Sequence, residues 1–151
     1  MYVDCSCGRR HWGPRGAAGL LLTDPTRTGV VLQHRSANGH QGNTWGLRGG
    51  AIARGEDPAA AALREAHEES GVDASTVTVL RTVAGLRHPE WSYTYVLAEV
   101  ERPDDPYLPG GLNWESDRTM WVDLDAVDTY PLHPSLGADW SRLQDLLDAT
   151  G

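Results

Sequence analysis

Runs of apolar residues along the chain, some alternating and some continuous, predict a sheet built from several strands. Clusters of Gly and Pro, such as DPTRTG and RPDDPYLPGG, separate these runs and mark turns or loops. The stretches VTV and SYTYV alternate in polarity, as expected of strands that are buried on one face. The predicted strands are 16–23, 30–35, 77–87, 91–101 and 118–122, with 44–50 as a short strand or a loop.

Apolar residues at helical spacing predict two helices. The first begins after Asp57, a residue type that caps helix N-termini, with Pro58 in its first turn and Gly71 just past its end. Its apolar side is formed mostly by small residues, which allow close packing on a sheet: Ala59, Ala62, Leu63 and Ala66. The second helix lies in 135–149, where a core-facing stripe is expected from four residues: Leu136, Trp140, Leu143 and Leu147.

Strands with interspersed helices in a chain of 151 residues predict one domain of α/β layers. Residues 1–15 are polar and rich in Arg, and we interpret them as an N-terminal arm that precedes a domain over 16–151. Cys5, Cys7 and His11 in this arm are spaced like metal ligands. A structural zinc site needs four ligands, and only three are close together here, so a disordered or simply packed arm is favoured.

The charge of the chain narrows the functional classes. Thirteen Arg and no Lys stand against 21 Asp and Glu, for a net charge of -8, which argues against a protein that coats nucleic acid or binds a membrane surface. The absence of Lys excludes lysine Schiff-base chemistry and a Walker-type phosphate loop. No apolar run has the character of a signal peptide or the length of a membrane span. Two closely spaced cysteines fit a reducing compartment, so a soluble cytoplasmic protein is expected.

The first predicted helix carries an unfavourable arrangement of charge. Glu65, Glu68 and Glu69 lie at i, i+3 and i+4, so their carboxylates share one face and repel one another. The helix dipole also disfavours anions near the C-terminal end. A divalent cation on this face would turn repulsion into coordination, because Mg²⁺ prefers carboxylate oxygens. For these three residues alone, a solvated acidic face is the alternative.

The longer segment 50–72, GAIARGEDPAAAALREAHEESGV, resembles the Nudix box, G-x5-E-x7-R-E-U-x-E-E-x-G-U, in which U is aliphatic. Ala66 and Val72 fill the aliphatic positions, and every fixed position is matched: Gly50, Glu56, Arg64, Glu65, Glu68, Glu69 and Gly71. The resemblance to the Nudix hydrolases (MutT-like) covers roughly 16–147. It implies an α/β/α sandwich around a mixed β-sheet.

The resemblance implies a role for each matched residue of the helix. Glu68 and Glu69 match the main ligands of a Mg²⁺ or Mn²⁺ cofactor. Glu65 matches a position that either binds the metal or acts as the base toward the attacking water. Arg64 matches the arginine that orients the glutamates by ion pairing.

Further positions belong to the implied metal site. Glu56 matches a glutamate that supports the box. The Gly49–Gly50 backbone lies where a family carbonyl commonly meets the metal, and the glycines permit that close approach. Glu115, in NWESDRTMWVDLDAV, resembles a carboxylate that many members add from a later loop as a ligand or base, with a surface glutamate as the alternative. Whether Glu65 or Glu115 is the base stays open.

Several residues are candidates for substrate contacts. Arg35 matches a frequent phosphate-contacting position, or it is a surface charge. Many relatives have W-x-L-P-G-G before the box, whereas this chain has WGLRGG, so that Arg48 frees the loop and adds a cation near the phosphates. Trp45, Trp91 and Trp114 lie in segments expected near the cleft, where each either stacks on a base or packs in the core.

The resemblance implies metal-dependent hydrolysis of a diphosphate bond in a nucleoside diphosphate linked to another group. One alternative is a Nudix-fold biosynthetic enzyme or isomerase acting on a prenyl or other non-nucleotide phosphate. Another is a non-catalytic ligand sensor, which the complete set of box glutamates disfavours. The expected partner is a small-molecule substrate, with no nucleic-acid polymer and no membrane. A homodimer is common in the family, but no residue here decides it.

Overall fold

The computed structural model describes residues 2–4, 10–12, 15–34, 44–70, 73–87, 92–101 and 118–149. Within these ranges it contains nine strands, two α-helices and two short 3-10 helices. The strands are β1 Tyr2–Asp4, β2 Arg10–Trp12, β3 Ala17–Thr23, β4 Gly29–His34, β5 Trp45–Gly46, β6 Arg48–Ala51, β7 Val77–Arg87, β8 Ser92–Val100 and β9 Arg118–Asp123. The α-helices are α1 Pro58–Ser70 and α2 Pro134–Ala149, and the 3-10 helices are Ala74–Thr76 and Leu124–Thr129.

Seven of the described strands form one mixed sheet in the order β5-β4-β3-β8-β7, with β6 also pairing with β3 and β9 with β4. β3 and β8 are parallel, with Ala17 opposite Tyr93 and Thr23 opposite Glu99. The other strand pairings in this sheet are antiparallel. A parallel pair needs a long crossover connection, and α1 lies within the connection between β3 and β8.

Both faces of the central strand β3 are covered, which explains why its sequence is a continuous apolar run. On one face, Leu20 and Leu22 belong to a core cluster with Ala66 of α1. On the other face, Leu21 belongs to a second cluster with Leu143 of α2. The helices therefore pack on opposite sides of the sheet. The predicted α/β/α sandwich around a mixed sheet is confirmed.

Both helix predictions are confirmed, with one difference in α1. Asp57 caps this helix, because its Oδ1 accepts a hydrogen bond from the Ala60 amide at 2.8 Å. Ala61 is fully buried, although the spacing had placed it outside the apolar side, whereas Ala59 and Leu63 are only partly buried. The run of four alanines at 59–62 has no polar position, so periodicity alone cannot locate the buried side. None of the helices in the described ranges has the length and apolarity needed to cross a bilayer.

The N-terminal arm contains a pair of strands that the sequence did not predict. β1 and β2 are antiparallel, with Tyr2 opposite Trp12 and Asp4 opposite Arg10. Strands of three residues are too short for a polarity pattern to show. Cys5 and Cys7 lie outside the described residues, so the zinc hypothesis stays a prediction, as does the division at residue 15.

Asp24 organises the turn between β3 and β4. Its Oδ1 accepts hydrogen bonds from the amides of Thr28 at 2.9 Å and Gly29 at 2.8 Å, and its Oδ2 accepts from the hydroxyls of Thr26 and Thr28. Burial alone would raise the pKa of Asp24, but the bonds from Thr26, Gly29 and Thr28 outweigh that effect and lower the pKa to about 2. The turn is therefore built around a charged carboxylate.

We expect Asp24→Ala to lower the free energy of unfolding by about 1–2 kcal/mol at neutral pH. The pKa of Asp24 in the folded chain lies below its ordinary value of 3.8. The stabilisation is therefore fully present above about pH 5 and is lost as the pH falls toward the folded-state value. Urea unfolding of both proteins across this range should show the difference shrinking in acid. Asp148→Ala, at an exposed site on α2, is the control, and a pH-independent difference for Asp24→Ala would contradict this role.

Candidate active site

Arg64 of α1 forms ion pairs with three of the four box glutamates. Its Nε and Nη2 donate to Glu56 at 2.8 and 3.0 Å, and its Nη1 donates to Glu65 at 3.0 Å and Glu68 at 3.4 Å. Nη2 also donates to the carbonyl of Ala51 at 3.1 Å, which joins α1 to the end of β6. A planar guanidinium has donors in several directions, so one side chain orients three carboxylates.

The turn before α1 holds Glu56 in place. Gly55 has φ +76, in the left-handed region that glycine tolerates, and the Glu56 amide donates to the Ala53 carbonyl at 3.1 Å. The Glu56 carboxylate in turn accepts from the Ala53 amide at 2.9 Å. Hydrogen bonding to Arg64, and then to Ala53, lowers the pKa of Glu56, and the same pairing raises the pKa of Arg64. The pair therefore keeps both charges at neutral pH.

The carboxylate of Glu65 lies directly against the backbone of β6. A Cβ atom on Gly50 would lie 2.6 Å from Cδ of Glu65, and 2.8 and 2.9 Å from its two oxygens. The neighbouring glycine has a different partner, because a Cβ atom on Gly49 would lie 2.1 Å from the carbonyl oxygen of Ala18 in β3. Gly49 therefore permits strand pairing, whereas Gly50 leaves room for the Glu65 carboxylate.

We expect Gly50→Ala to lower kcat/KM of the hydrolysis proposed below by roughly tenfold, because the new methyl group displaces the carboxylate of Glu65, one of the two candidate bases. The fold should persist, since the atoms in conflict belong to the end of a flexible side chain. Gly49→Ala is the matched comparison: its methyl group meets strand backbone, so it should lower the free energy of unfolding instead. Steady-state kinetics and urea unfolding of both variants separate the two effects. Wild-type kinetics in folded Gly50→Ala would contradict the placement of Glu65.

Glu69 is held by a different arginine, Arg48 of β6. Nη1 of Arg48 donates to Oε2 of Glu69 at 3.1 Å, and the Arg48 side chain is 5% exposed against 31% for Glu69. Arg48 lies opposite Leu20, which packs on the α1 side of the sheet, so its side chain runs beneath the C-terminal part of α1. This burial differs from the expected role of Arg48 as a cation near the substrate phosphates.

The donors in this region are of the chemical type that a hard divalent cation prefers. Glu65, Glu68 and Glu69 carry carboxylate oxygens, the ligands that Mg²⁺ and Mn²⁺ prefer, and the Glu65 carboxylate lies beside Gly50 of β6. In the part of the chain that the structure describes, no three acidic, His or Cys side chains converge closely enough to hold a metal ion. Arg64 and Arg48 hold the four box carboxylates in this arrangement. The predicted ligands, which are Glu65, Glu68, Glu69, Glu115 and the backbone of Gly49, therefore stay predictions.

Three of the predicted site residues, Arg35, Trp91 and Glu115, lie outside the described residues, as does Trp114. Their roles stay predictions, and the choice between Glu65 and Glu115 as the base stays open.

Trp45 is described and lies in the core at 8% exposure. Its ring packs edge-on against His34 and Tyr130, with centroid distances of 4.9 and 5.6 Å. Of the two roles expected for a tryptophan here, this position favours core packing over stacking on a base.

Comparison with known proteins establishes the family. Residues 13–143 match the family model of the NUDIX domain. The chain therefore belongs to the Nudix family, as the box resemblance predicted. A crystal structure of a Nudix hydrolase from M. smegmatis, RenU, superimposes with a TM-score of 0.85 at 38% identity, covering 99% of this chain and 96% of that one.

Two relatives are similar over nearly the whole chain. One is a nucleoside triphosphate pyrophosphatase/Nudix hydrolase fusion protein of Bifidobacterium longum, 42% identical over 154 residues, which cover 97% of this chain and 31% of that protein. The other, from Mycobacterium tuberculosis, is named "Putative 8-oxo-dGTP diphosphatase 3" and is 41% identical over 151 residues, covering 95% of this chain and 68% of that protein. The chain thus spans about a third and two thirds of these relatives. Their names confirm the predicted hydrolase class at the level of the family.

Proposed function

We propose that this chain hydrolyses a diphosphate bond in a nucleotide, with Mg²⁺ or Mn²⁺ as cofactor. The observation that carries the proposal is the Arg64 network, which gathers Glu56, Glu65 and Glu68 at the glycine-lined end of β6. A structural helix would gain little from this concentration of carboxylates, whereas a phosphate substrate needs a cation that such carboxylates bind. The hydrolase names of the relatives support the same reaction class.

The charged residues of the box that the structure describes each have a role in the proposed reaction. Glu65, Glu68 and Glu69 would hold the cation, whose chemistry when bound would be to neutralise charge on the diphosphate and to lower the pKa of water. Glu65 is the described candidate to accept the proton of the attacking water, because it is confined between Arg64 and the Gly50 backbone. Arg64 and Glu56 position Glu65 and Glu68 and hold α1 against β6. Glu115 is the alternative base.

Oxidised nucleoside triphosphates are the first substrates to test, because the mycobacterial relative is named for 8-oxo-dGTP. The alternative of an isomerase or biosynthetic enzyme acting on a prenyl diphosphate has no support among the relatives described above. The proposal also includes the predicted cytoplasmic location, a small-molecule substrate and the absence of a polymeric or membrane partner. Light scattering would decide whether the chain forms a homodimer.

A phosphate- and pyrophosphate-release screen tests this proposal. It would combine Mg²⁺ or Mn²⁺ with normal and oxidised nucleoside triphosphates, ADP-ribose, dinucleoside polyphosphates and prenyl diphosphates. We expect metal-dependent release from a nucleotide, and mass spectrometry of the products identifies the bond that is cleaved. Isomerisation of a prenyl diphosphate without release would support the alternative enzyme class. Silence with every compound, from a folded protein that binds Mn²⁺, would refute nucleotide hydrolysis.

A further inference from the structure

The turn between β3 and β4 contains an arginine in an unusual backbone conformation. Among the described residues other than glycine, Arg27 is the one with a positive φ, at 58°. This left-handed region is unfavourable for residues that have a Cβ atom, and Gly or Asn is the residue usually found there. A strained residue at such a position indicates that contacts around it hold it in place.

The side chain of Arg27 reaches Leu147, 120 residues further along the chain, in the last turn of α2. Its Nη1 donates to the Leu147 carbonyl at 2.9 Å. The last four carbonyls of a helix have no partner within the helix, and the helix dipole favours cations beside them. The last turn of α2 carries no basic side chain of its own. Arg27 therefore supplies from the turn the cation that this helix end lacks.

Contacts on two sides hold the Arg27 side chain and backbone. Nε lies 3.6 Å from Oε1 of Glu99 on β8, which is opposite Thr23 in the parallel strand pair. The two charged side chains are only 17% and 26% exposed, so their ion pair is partly shielded from water. The Arg27 amide donates to the Asp24 carbonyl at 3.0 Å, and the Asp24 carboxylate accepts from the Thr28 amide. The turn, β8 and α2 are therefore joined through one arginine.

We propose that Arg27 is a capping residue for α2 that the β3–β4 turn supplies, and that this contact controls local opening of the last turn of the helix. The strained backbone is retained because the side chain joins α2 to the sheet. Loss of the contact would make opening of this helix end more frequent, while the core around Leu143 stays packed. The inference does not depend on the proposed function, because α2 and the box helix lie on opposite faces of the sheet.

Arg27→Asn tests the proposal because it changes the backbone and the side chain in opposite directions. Asn tolerates the left-handed region, so relief of strain alone predicts equal or slower amide hydrogen exchange. The substitution also removes the guanidinium, so the proposed cap predicts faster exchange at 146–149. NMR would follow exchange under native conditions, with the amides of 138–141 in the same helix as the internal reference. Arg54→Asn, at an exposed arginine in the turn before α1, is the matched control.

We expect exchange at 146–149 to become about tenfold faster in Arg27→Asn, the factor expected for one hydrogen bond from a charged donor. Exchange at 138–141 and in Arg54→Asn should match the wild type. Glu99→Gln should accelerate 146–149 by a smaller factor, since the guanidinium keeps its bond to α2 but loses its ion pair. Unchanged or slower exchange at 146–149 in Arg27→Asn would overturn the proposal, as would equal acceleration at 138–141. If Arg27→Asn does not fold, unchanged exchange in Glu99→Gln overturns it.

Discussion

Replacing Glu68 and Glu69 together with glutamine is expected to lower kcat/KM of the proposed hydrolysis by about a thousandfold or more, which corresponds to about 4 kcal/mol of transition-state stabilisation. Glutamine keeps the shape of each side chain but removes the negative charge that a divalent cation needs. The cation would then lose two of the three carboxylates proposed here as its ligands. The measurement is kcat/KM with whichever nucleotide the release screen identifies, across a range of Mn²⁺ concentrations. Activity restored by high Mn²⁺ would show weakened metal binding, whereas full activity at low Mn²⁺ would contradict the assigned ligands.

The single replacements Glu68→Gln and Glu69→Gln should change the free energy of unfolding differently. This difference gives the experiment an internal control. The Glu68 side chain is 56% exposed in the last turns of α1, where an anion opposes the helix dipole. Glu68→Gln alone should therefore leave the free energy of unfolding unchanged or slightly raised. Glu69→Gln removes a negative charge that pairs with buried Arg48 and should lower the free energy of unfolding. Glu101→Gln, at an exposed position after β8, controls for the loss of one charge and should change neither quantity.

The layers of this fold could be predicted because the apolar patterns are strong. The β3 segment is a nearly continuous apolar run and is buried on both faces. The apolar residues that recur at helical spacing along α2 are buried in the core, as that spacing predicts. The parallel pairing of β3 with β8 could not be predicted, since both segments are compatible with either direction. The β1–β2 pair could not be predicted, because strands of three residues are too short to show an alternation of polar and apolar positions. The buried side of α1 was only partly located, because a run of alanines marks no direction.

The candidate site could be predicted as a set of residues but not as a set of contacts. The box spacing places Glu65, Glu68 and Glu69 on one helix face, and the resemblance of the whole box to the Nudix family predicts a cation there. Which glutamate pairs with which arginine depends on the register of β6 against β3, which sets Arg48 opposite Leu20 and turns it under α1. Local sequence does not determine that register. Arg48 therefore appears in the sequence as a loop cation and in the structure as a buried partner of Glu69.

Gly50 is a second case in which local sequence does not determine a contact between two elements. The resemblance to the Nudix box implies that the Gly49–Gly50 backbone meets a metal, and that contact stays a prediction. The structure shows that the Glu65 carboxylate itself occupies the space that a side chain at Gly50 would fill. Distances between a strand and a helix that follows it seven residues later cannot be derived from either segment alone. They require the packing of α1 on the sheet.

Arg64→Lys is expected to lower both activity and stability although the positive charge remains. The guanidinium contacts Glu56, Glu65 and Glu68 together with the Ala51 carbonyl, and a lysine ammonium cannot reproduce that planar fork. We expect kcat/KM to fall by about a hundredfold, because the glutamates lose their common orienting partner. The free energy of unfolding should fall by about 1–3 kcal/mol, since Glu56, at 15% exposure, loses its paired donors. Arg81→Lys is the control at an exposed arginine.

Acid unfolding distinguishes this network from a general effect of charge. Pairing with Arg64 lowers the pKa of Glu56 below its ordinary value of 4.5 in the folded chain. The stabilisation from the pair is therefore present above that value and is lost as the pH falls through the lowered folded-state pKa. Arg64→Ala lacks this contribution at any pH, so the stability gap between wild type and Arg64→Ala should narrow in acid. A gap that stays constant would mean that Arg64 stabilises α1 by packing alone, and the loss of activity in Arg64→Lys would then need another cause.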